Sequence, residues 1–172
     1  GIDSMGETAE NIADMMPHIT REQQDLFALA SHQKAIAAID SEKFAEEIVS
    51  VSIPQKKGDP IQMTTDERPR RDTTFESLSR LPPVFRKGGT VTAANSSGLN
   101  DGAAALLLMS DSRANALGLK PMARIVASGA AGVPPRIMGL GPVPATHKAL
   151  QRAALSMDDI GLAELNEAFA IQ

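Results

Sequence analysis

Gly88 to Ser110 reads GGTVTAANSSGLNDGAAALLLMS: a β-branched run, a corner of small residues and an apolar run, with no charged residue before Asp101. Thr90, Val91 and Thr92 suit a pleated strand, and Ala103 to Met109 is apolar enough to predict burial. Between them Ala93, Ala94, Ser96, Ser97 and Gly98 carry little side-chain bulk, so a ligand can approach the backbone closely and the serines offer hydroxyls to hold it. An extended polar ligand would suit such a corner. The plainer reading is a tight turn between two core strands, with small residues chosen for packing.

The remainder of the chain bounds what that corner can serve. Its 172 residues fit one domain of usual size, or one and a half with a long excursion, and the 42% apolar content is enough for a core. Net charge is −4 with both signs mixed throughout, which is unlike the basic stripe of a nucleic-acid binder. The apolar runs are shorter than the roughly 20 residues that cross a bilayer, and no basic-then-apolar leader opens the chain, so an intracellular, cytoplasmic protein without a membrane span is expected. There is no cysteine, which removes disulfides, thiolate metal sites and a thiol nucleophile from what these residues can do alone. His18, His32 and His147 lack the spacing and acidic company of a metal site; they read as surface or helix-end residues, and no metal is expected.

Upstream of the corner, Thr8 to Met16 has a helical pattern, and the opening Gly1-Ile2-Asp3 without a start methionine reads as a cut inside a larger protein. Thr20 with Gln23 forms a capping-box signature for a helix over Arg21 to Ile39. Ile48 to Ile53 alternates as a half-buried strand, and Lys56 to Pro60 turns the chain. Glu67-Arg68-Pro69-Arg70-Arg71-Asp72 reads first as a solvated surface; an arginine pair just before a helix start is also well placed to meet an anion. That helix is expected to open at Thr73, with Glu76 completing its capping box, and to end at Leu81-Pro82-Pro83.

Downstream, Asp111 to Leu117 predicts a helix closed by Gly118, Ala123 to Ser128 a buried strand, and Gly129 to Pro144 a loop. A helix over Pro144 to Ala154 and a strand over Leu162 to Leu165 follow, giving an α/β class. The second strand delivers Asn166 and Glu167 to its carboxyl end, where ligands of α/β sheets collect; Asn166 capping a helix from Glu167 is the plainer alternative. Met5 and Met138 lie beside glycines in what read as non-helical corners, where a pliable apolar wall is plausible.

Taken together, SMGETAEN (Ser4 to Asn11), REQQDLFALASHQKA (Arg21 to Ala35), DERPRRDTTFESL (Asp66 to Leu78), the corner stretch, GLKPMARI (Gly118 to Ile125), IMGLGPVPA (Ile137 to Ala145) and LNEAFA (Leu165 to Ala170) resemble the thiolases, over practically the whole chain and in the family's order. These enzymes interconvert acyl-CoA plus acetyl-CoA with 3-ketoacyl-CoA plus CoA. The resemblance implies layered α/β halves with a loop domain inserted over the CoA. Residues 1–95 would be most of that loop domain, 96–119 the end of the first half and 120–172 the start of the second.

The resemblance also implies roles. Asn166, in the family's NEAF motif, would hold a water that donates to the thioester oxygen as charge builds there. Ser97 and Ala93 would contact the pantetheine arm, Arg70 and Ser77 would lie near the nucleotide end, and Met5, Met138 and Phe169 would wall the acyl pocket. Ser4 stands where many biosynthetic members have His, and Ala94 where the family usually has Gly. The acyl-accepting cysteine, the GHP histidine and the CxGGG cysteine are not in these residues, so the chain is expected to be a middle piece, inactive alone. CoA thioesters would be substrates with no separate cofactor, and the assembly a homodimer or homotetramer. A rival reading is a non-catalytic CoA or acyl-CoA binding module descended from a thiolase; a third is a purely structural fragment.

Overall fold

A computed structural model describes residues 2–172. The chain divides into two compact units, one holding the residues up to Gly98 together with Glu167–Gln172, the other Leu99–Asn166.

In the first unit, α1 spans Met5–Met15 and is capped by Ser4, whose Oγ accepts from the Glu7 N–H. It buries Ala9 and Ile12, and with them the polar Thr8, Glu10 and Asn11. A polar buried face of this kind needs partners, and the site below supplies them. The Thr20–Gln23 capping box opens α2, Arg21–Asp40, as expected from its sequence: the Gln23 N–H meets Thr20 Oγ1 at 3.3 Å and the Thr20 N–H meets Gln23 Oε1 at 2.8 Å. The half-buried strand expected over Ile48 to Ile53 is shorter and exposed: β1 is Val51–Ile53, paired antiparallel to β2, Ile61–Met63, in the register Val51↔Met63 and Ile53↔Ile61. Its turn includes Lys56 to Gly58, with Gly58 at φ 88°.

The short helix α3, Phe75–Ser79, starts one residue later than expected. Thr74, not Thr73, is extended and pairs with Ser77 in the capping box, and Glu76 is left to bond Arg80. Arg21 docks α3 on α2 by donating to the carbonyls of Leu78 (2.9 Å) and Leu81 (3.0 Å). Leu78, Val91 and Ile171 join α1 and α2 residues in the core of this unit.

The second unit carries α4, Asp111–Ala116, a 3₁₀ segment Pro135–Leu140, α5, Pro142–Ala153, and a 3₁₀ turn Met157–Asp159. Gly118 closes α4 at φ 65°, and the Leu119 N–H reaches the Ala114 carbonyl at 2.9 Å. Residues 128–130 lie along α5: Arg152 donates to Ser128 O and Lys148 to Ala130 O, both at 2.8 Å, and a Cβ on Gly129 would overlap the Ala145 carbonyl.

Several expectations fail here for one reason. Thr90 to Thr92, Ala123 to Ser128 and Leu162 to Leu165 are not strands, and Ala103 to Met109 is not buried: Leu106 and Leu107 are 85% and 82% exposed. A strand exists only in a ladder, and among the described residues β1 and β2 form the only sheet. Apolar runs without a neighbouring layer have nothing to bury against. No helix begins at Glu167 either; that segment instead pairs with the corner.

Candidate functional site

The corner is shaped by side chains reaching it from two helices. Glu10, 2% exposed on α1, accepts the N–H groups of Thr90 (3.0 Å) and Val91 (2.9 Å) through Oε1. Asn95 Oδ1 takes the Thr92 N–H at 2.8 Å. These bonds occupy donors that a ladder would use, which is why the β-branched run is not a strand. Thr92 Oγ1 then accepts from the N–H groups of Ala94 (3.2 Å) and Asn95 (3.3 Å), and Ser96 Oγ donates to Thr92 O at 2.6 Å.

Past this turn, the backbone pairs with the C-terminal segment. Ser96 and Phe169 form an antiparallel bridge, the Ser97 N–H donates to Ala168 O and the Ala170 N–H to Asn95 O, both at 2.9 Å. Ser97 and Ala93 are exposed, and the Ser97 hydroxyl has no partner among the described residues. The corner thus presents a free hydroxyl and small side chains from a backbone held on its inner side.

Around it, a Cβ on Gly98 would overlap the Arg68 guanidinium, so Gly98 is needed for that arginine to lie against the corner. Phe169 packs edge-on to Phe85, whose ring covers Gly6 so closely that a Cβ there would overlap it. Met5 therefore opens α1 beside an aromatic pair, rather than sitting in a non-helical corner.

The arginine pair divides. Arg71 makes two bonds to Asp40, at 2.9 and 2.6 Å; the hydrogen bond holds the Asp40 carboxyl below its ordinary value and raises Arg71. Arg70 is exposed, its side chain carries no ion pair among the described residues, and its N–H donates to His32 Nδ1 at 3.2 Å. His32 is thus a partner within α2, not a helix-end residue. Arg86 is held by Glu7, Asp14 and Asn11, with hydrogen bonding from Glu7 the main cause of its raised value. Ser77 is exposed but engaged in capping: its Oγ accepts from Thr74 N–H at 3.1 Å and donates to Thr74 O at 2.8 Å.

In the second unit, Met138 lies within the 3₁₀ segment and is 44% exposed, and Asn166 is exposed with no side-chain bond among the described residues. The structure brings Ala93, Ser97 and Phe169 together, and places Arg70 and Ser77 on the segment docked to α2. The sequence gives little notice of Glu10, Asp25, Arg68 and Phe85, which reach the corner from elsewhere in the chain, or of Asn95 within it. Glu10 and Asp25 are polar residues at helix positions that are buried, whereas nothing local marks Arg68, Phe85 or Asn95.

The family model described as "Thiolase, N-terminal domain" matches residues 2–112 and that described as "Thiolase, C-terminal domain" matches residues 119–172. An acetyl-CoA acetyltransferase of Pseudomonas aeruginosa is 56% identical over 168 residues, 98% of this chain and 42% of the relative. A 3-oxoadipyl-CoA/3-oxo-5,6-dehydrosuberyl-CoA thiolase of Escherichia coli is 54% identical over 172 residues, 100% of this chain and 43% of the relative. The crystal structure of the Bacillus anthracis acetyl-CoA acetyltransferase superposes with a TM-score of 0.91 at 50% identity, covering 98% of this chain and 42% of that one. The chain therefore spans somewhat over two fifths of the length of these relatives, and its fold is a part of theirs. On this agreement of sequence and fold, the chain belongs to the thiolase family.

Proposed function

We propose that the full-length protein containing this chain is a thiolase-type acyl-CoA C-acyltransferase, cleaving 3-ketoacyl-CoA with CoA or condensing acetyl-CoA with an acyl-CoA. The observation that carries this reading is the near-complete coverage of the chain by acetyl-CoA acetyltransferase and thiolase relatives. The chain itself has no cysteine, so the acyl-accepting thiolate comes from residues outside it. That thiolate attacks the 3-keto carbon, the C2–C3 bond breaks, and its electron pair leaves as the enolate of acetyl-CoA, which is then protonated. CoA thiolate displaces the acyl group from the enzyme in a second step.

Within this scheme the chain supplies most of the seat for CoA. Ser97 and Ala93 meet the pantetheine arm, which the free Ser97 hydroxyl and the lack of bulk at Ala93 support. Arg70 faces the phosphates of the nucleotide end, supported by its lack of a carboxylate partner where Arg71 has one. Ser77 lies nearby and keeps a lone pair beyond its capping bonds. Met5, Met138 and Phe169 wall the acyl group. Asn166 holds a water that donates to the thioester oxygen as it becomes negative, an interaction stronger in the transition state than in the ground state.

By the same reading, residues 1–95 belong to the loop domain, 96–119 to the end of the first half and 120–172 to the start of the second. The protein works without a separate cofactor, as a homodimer or homotetramer in the cytoplasm. No described helix is long and apolar enough to cross a membrane. The test is incubation of the full-length protein with acetoacetyl-CoA and CoA: formation of two acetyl-CoA per substrate consumed is expected. Tight binding of CoA without consumption would instead favour a binding module.

A further inference from the structure

Asn95 is 3% exposed, so no ligand reaches its side chain, yet it is bonded on every side. Its Nδ2 donates to Asp25 Oδ1 at 3.1 Å and to Thr90 O at 3.0 Å, and its Oδ1 accepts the Thr92 N–H at 2.8 Å. Its own carbonyl accepts the Ala170 N–H at 2.9 Å. Asp25, 1% exposed on α2, is anchored in turn by Arg21 Nε at 2.7 Å, and Arg21 also clamps α3 through the carbonyls of Leu78 and Leu81.

One residue therefore connects three parts of the unit: its side-chain amide joins the long helix α2 to the turn that carries Ala93, and its backbone carbonyl holds the segment carrying Phe169. The corner has no ladder of its own beyond the bridge at Ser96, so its shape depends on these side-chain bonds. We propose that Asn95 is a positioning residue for the CoA-thioester site, holding Ala93, Ser97 and Phe169 in mutual register through Asp25. This rests on the reading of the corner as the seat of the CoA thioester.

The chemistry demands an amide. The groups facing Asn95 are two acceptors, the Asp25 carboxylate and the Thr90 carbonyl, and one donor, the Thr92 N–H. Aspartate at this position offers acceptors only and sets a second carboxylate against Asp25. A hydrocarbon of similar size takes away the partner of the Thr90 carbonyl and of the Thr92 N–H and leaves Asp25 with Arg21 alone.

The experiment uses the full-length protein, with wild type, Asn95→Asp, Asp25→Asn and the exchanged double variant Asp25→Asn/Asn95→Asp. Thiolysis is followed well below each melting temperature, with folding checked by circular dichroism. Asn95→Asp is expected to raise KM for CoA and for acetoacetyl-CoA about tenfold, because displacement of a binding wall by a fraction of an ångström is felt directly. The double variant should recover part of that loss: it again pairs one amide with one carboxylate, the donor now standing on α2 and the acceptor in the turn, where it still receives the Thr92 N–H but faces the Thr90 carbonyl without a proton to give. Asp25→Asn alone, which sets an amide N–H against Arg21 or Asn95, is expected to raise KM in the same direction by a smaller factor, about threefold.

A residue that served stability alone would lower the melting temperature and the amount of active enzyme and leave KM unchanged; that result in Asn95→Asp overturns the proposal. Should Asn95→Asp fail to fold, the KM of Asp25→Asn decides in the same way. Absence of turnover in the wild type would overturn the thiolase reading, and this inference with it, whereas wild-type turnover with unaltered KM in the variants overturns the inference only.

Discussion

The ring of Phe169 stands edge-on to that of Phe85, with centroids 6.2 Å apart and planes at 83°. Such a pair contributes about 0.5–1.5 kcal/mol beyond the area it covers. Phe85 in turn lies on Gly6, where any Cβ would overlap the ring. The start of α1 and the segment after Asn166 are thus coupled through one aromatic side chain.

Gly6→Ala should therefore destabilise the protein by about 1–3 kcal/mol, the usual cost of overpacking. Since the clash is with Phe85, the double variant Gly6→Ala/Phe85→Ala should cost less than the two single losses added together. Denaturant midpoints of the three variants check this; strict additivity would contradict it.

Asn166 is exposed and its side chain is bonded to nothing among the described residues, so its removal leaves no buried group unpaired. Asn166→Ala is expected to slow thiolysis by about tenfold or more, with the melting temperature and the KM for CoA little changed. An unaltered kcat would remove Asn166 from the mechanism.

Arg70 and Arg71 are neighbours in sequence with different partners. Arg70→Ala should raise KM for CoA several-fold, and the difference from wild type should shrink in high salt, as expected of an exposed phosphate contact. Arg71→Ala, which removes the Asp40 pair, should leave KM nearly as it was. Equal KM effects in both variants would contradict the division of roles.

The Asp40–Arg71 pair also sets a pH dependence. The Arg71 hydrogen bond depresses the folded-state value of the Asp40 carboxyl, so the pair stabilises the fold above the ordinary aspartate range. That contribution disappears as pH falls through the depressed value, below about 4. The pair is exposed, so its effect is small and weakened by salt. The gap in melting temperature between wild type and Asp40→Asn should close on acidification; a gap unchanged across that range would contradict the assignment.

What the sequence revealed was mostly local. The Thr20–Gln23 box, the Gly118 stop after α4 and the helix expected over Pro144 to Ala154, which starts two residues earlier at Pro142 within the expected loop, are each decided by residues a few positions apart. The corner's lack of bulk and its serine hydroxyls were legible, because small residues and serines carry these properties whatever surrounds them. Its conformation was not legible: the N–H groups of Thr90 and Val91 go to Glu10, and Asn95 goes to Asp25, partners some 70 to 81 positions away. Nothing in the periodicity of Thr90 to Thr92 signals that side chains will replace a ladder. The apolar runs at Ala103 to Met109 and Ala123 to Ser128 read as core strands by composition, but burial depends on what lies beside them. The arginines illustrate the same limit, since only geometry separates the neutralised Arg71 from the open Arg70.

If the small-residue corner is the seat of the CoA thioester, a bulky residue at Ser97 should obstruct it. In the full-length protein, Ser97→Leu removes the free hydroxyl and fills the corner while leaving the Ser97 N–H bond to Ala168 available. The expected result is a KM for acetoacetyl-CoA raised by about tenfold or more, with the melting temperature within a few degrees of wild type. A KM equal to that of the wild type would contradict it.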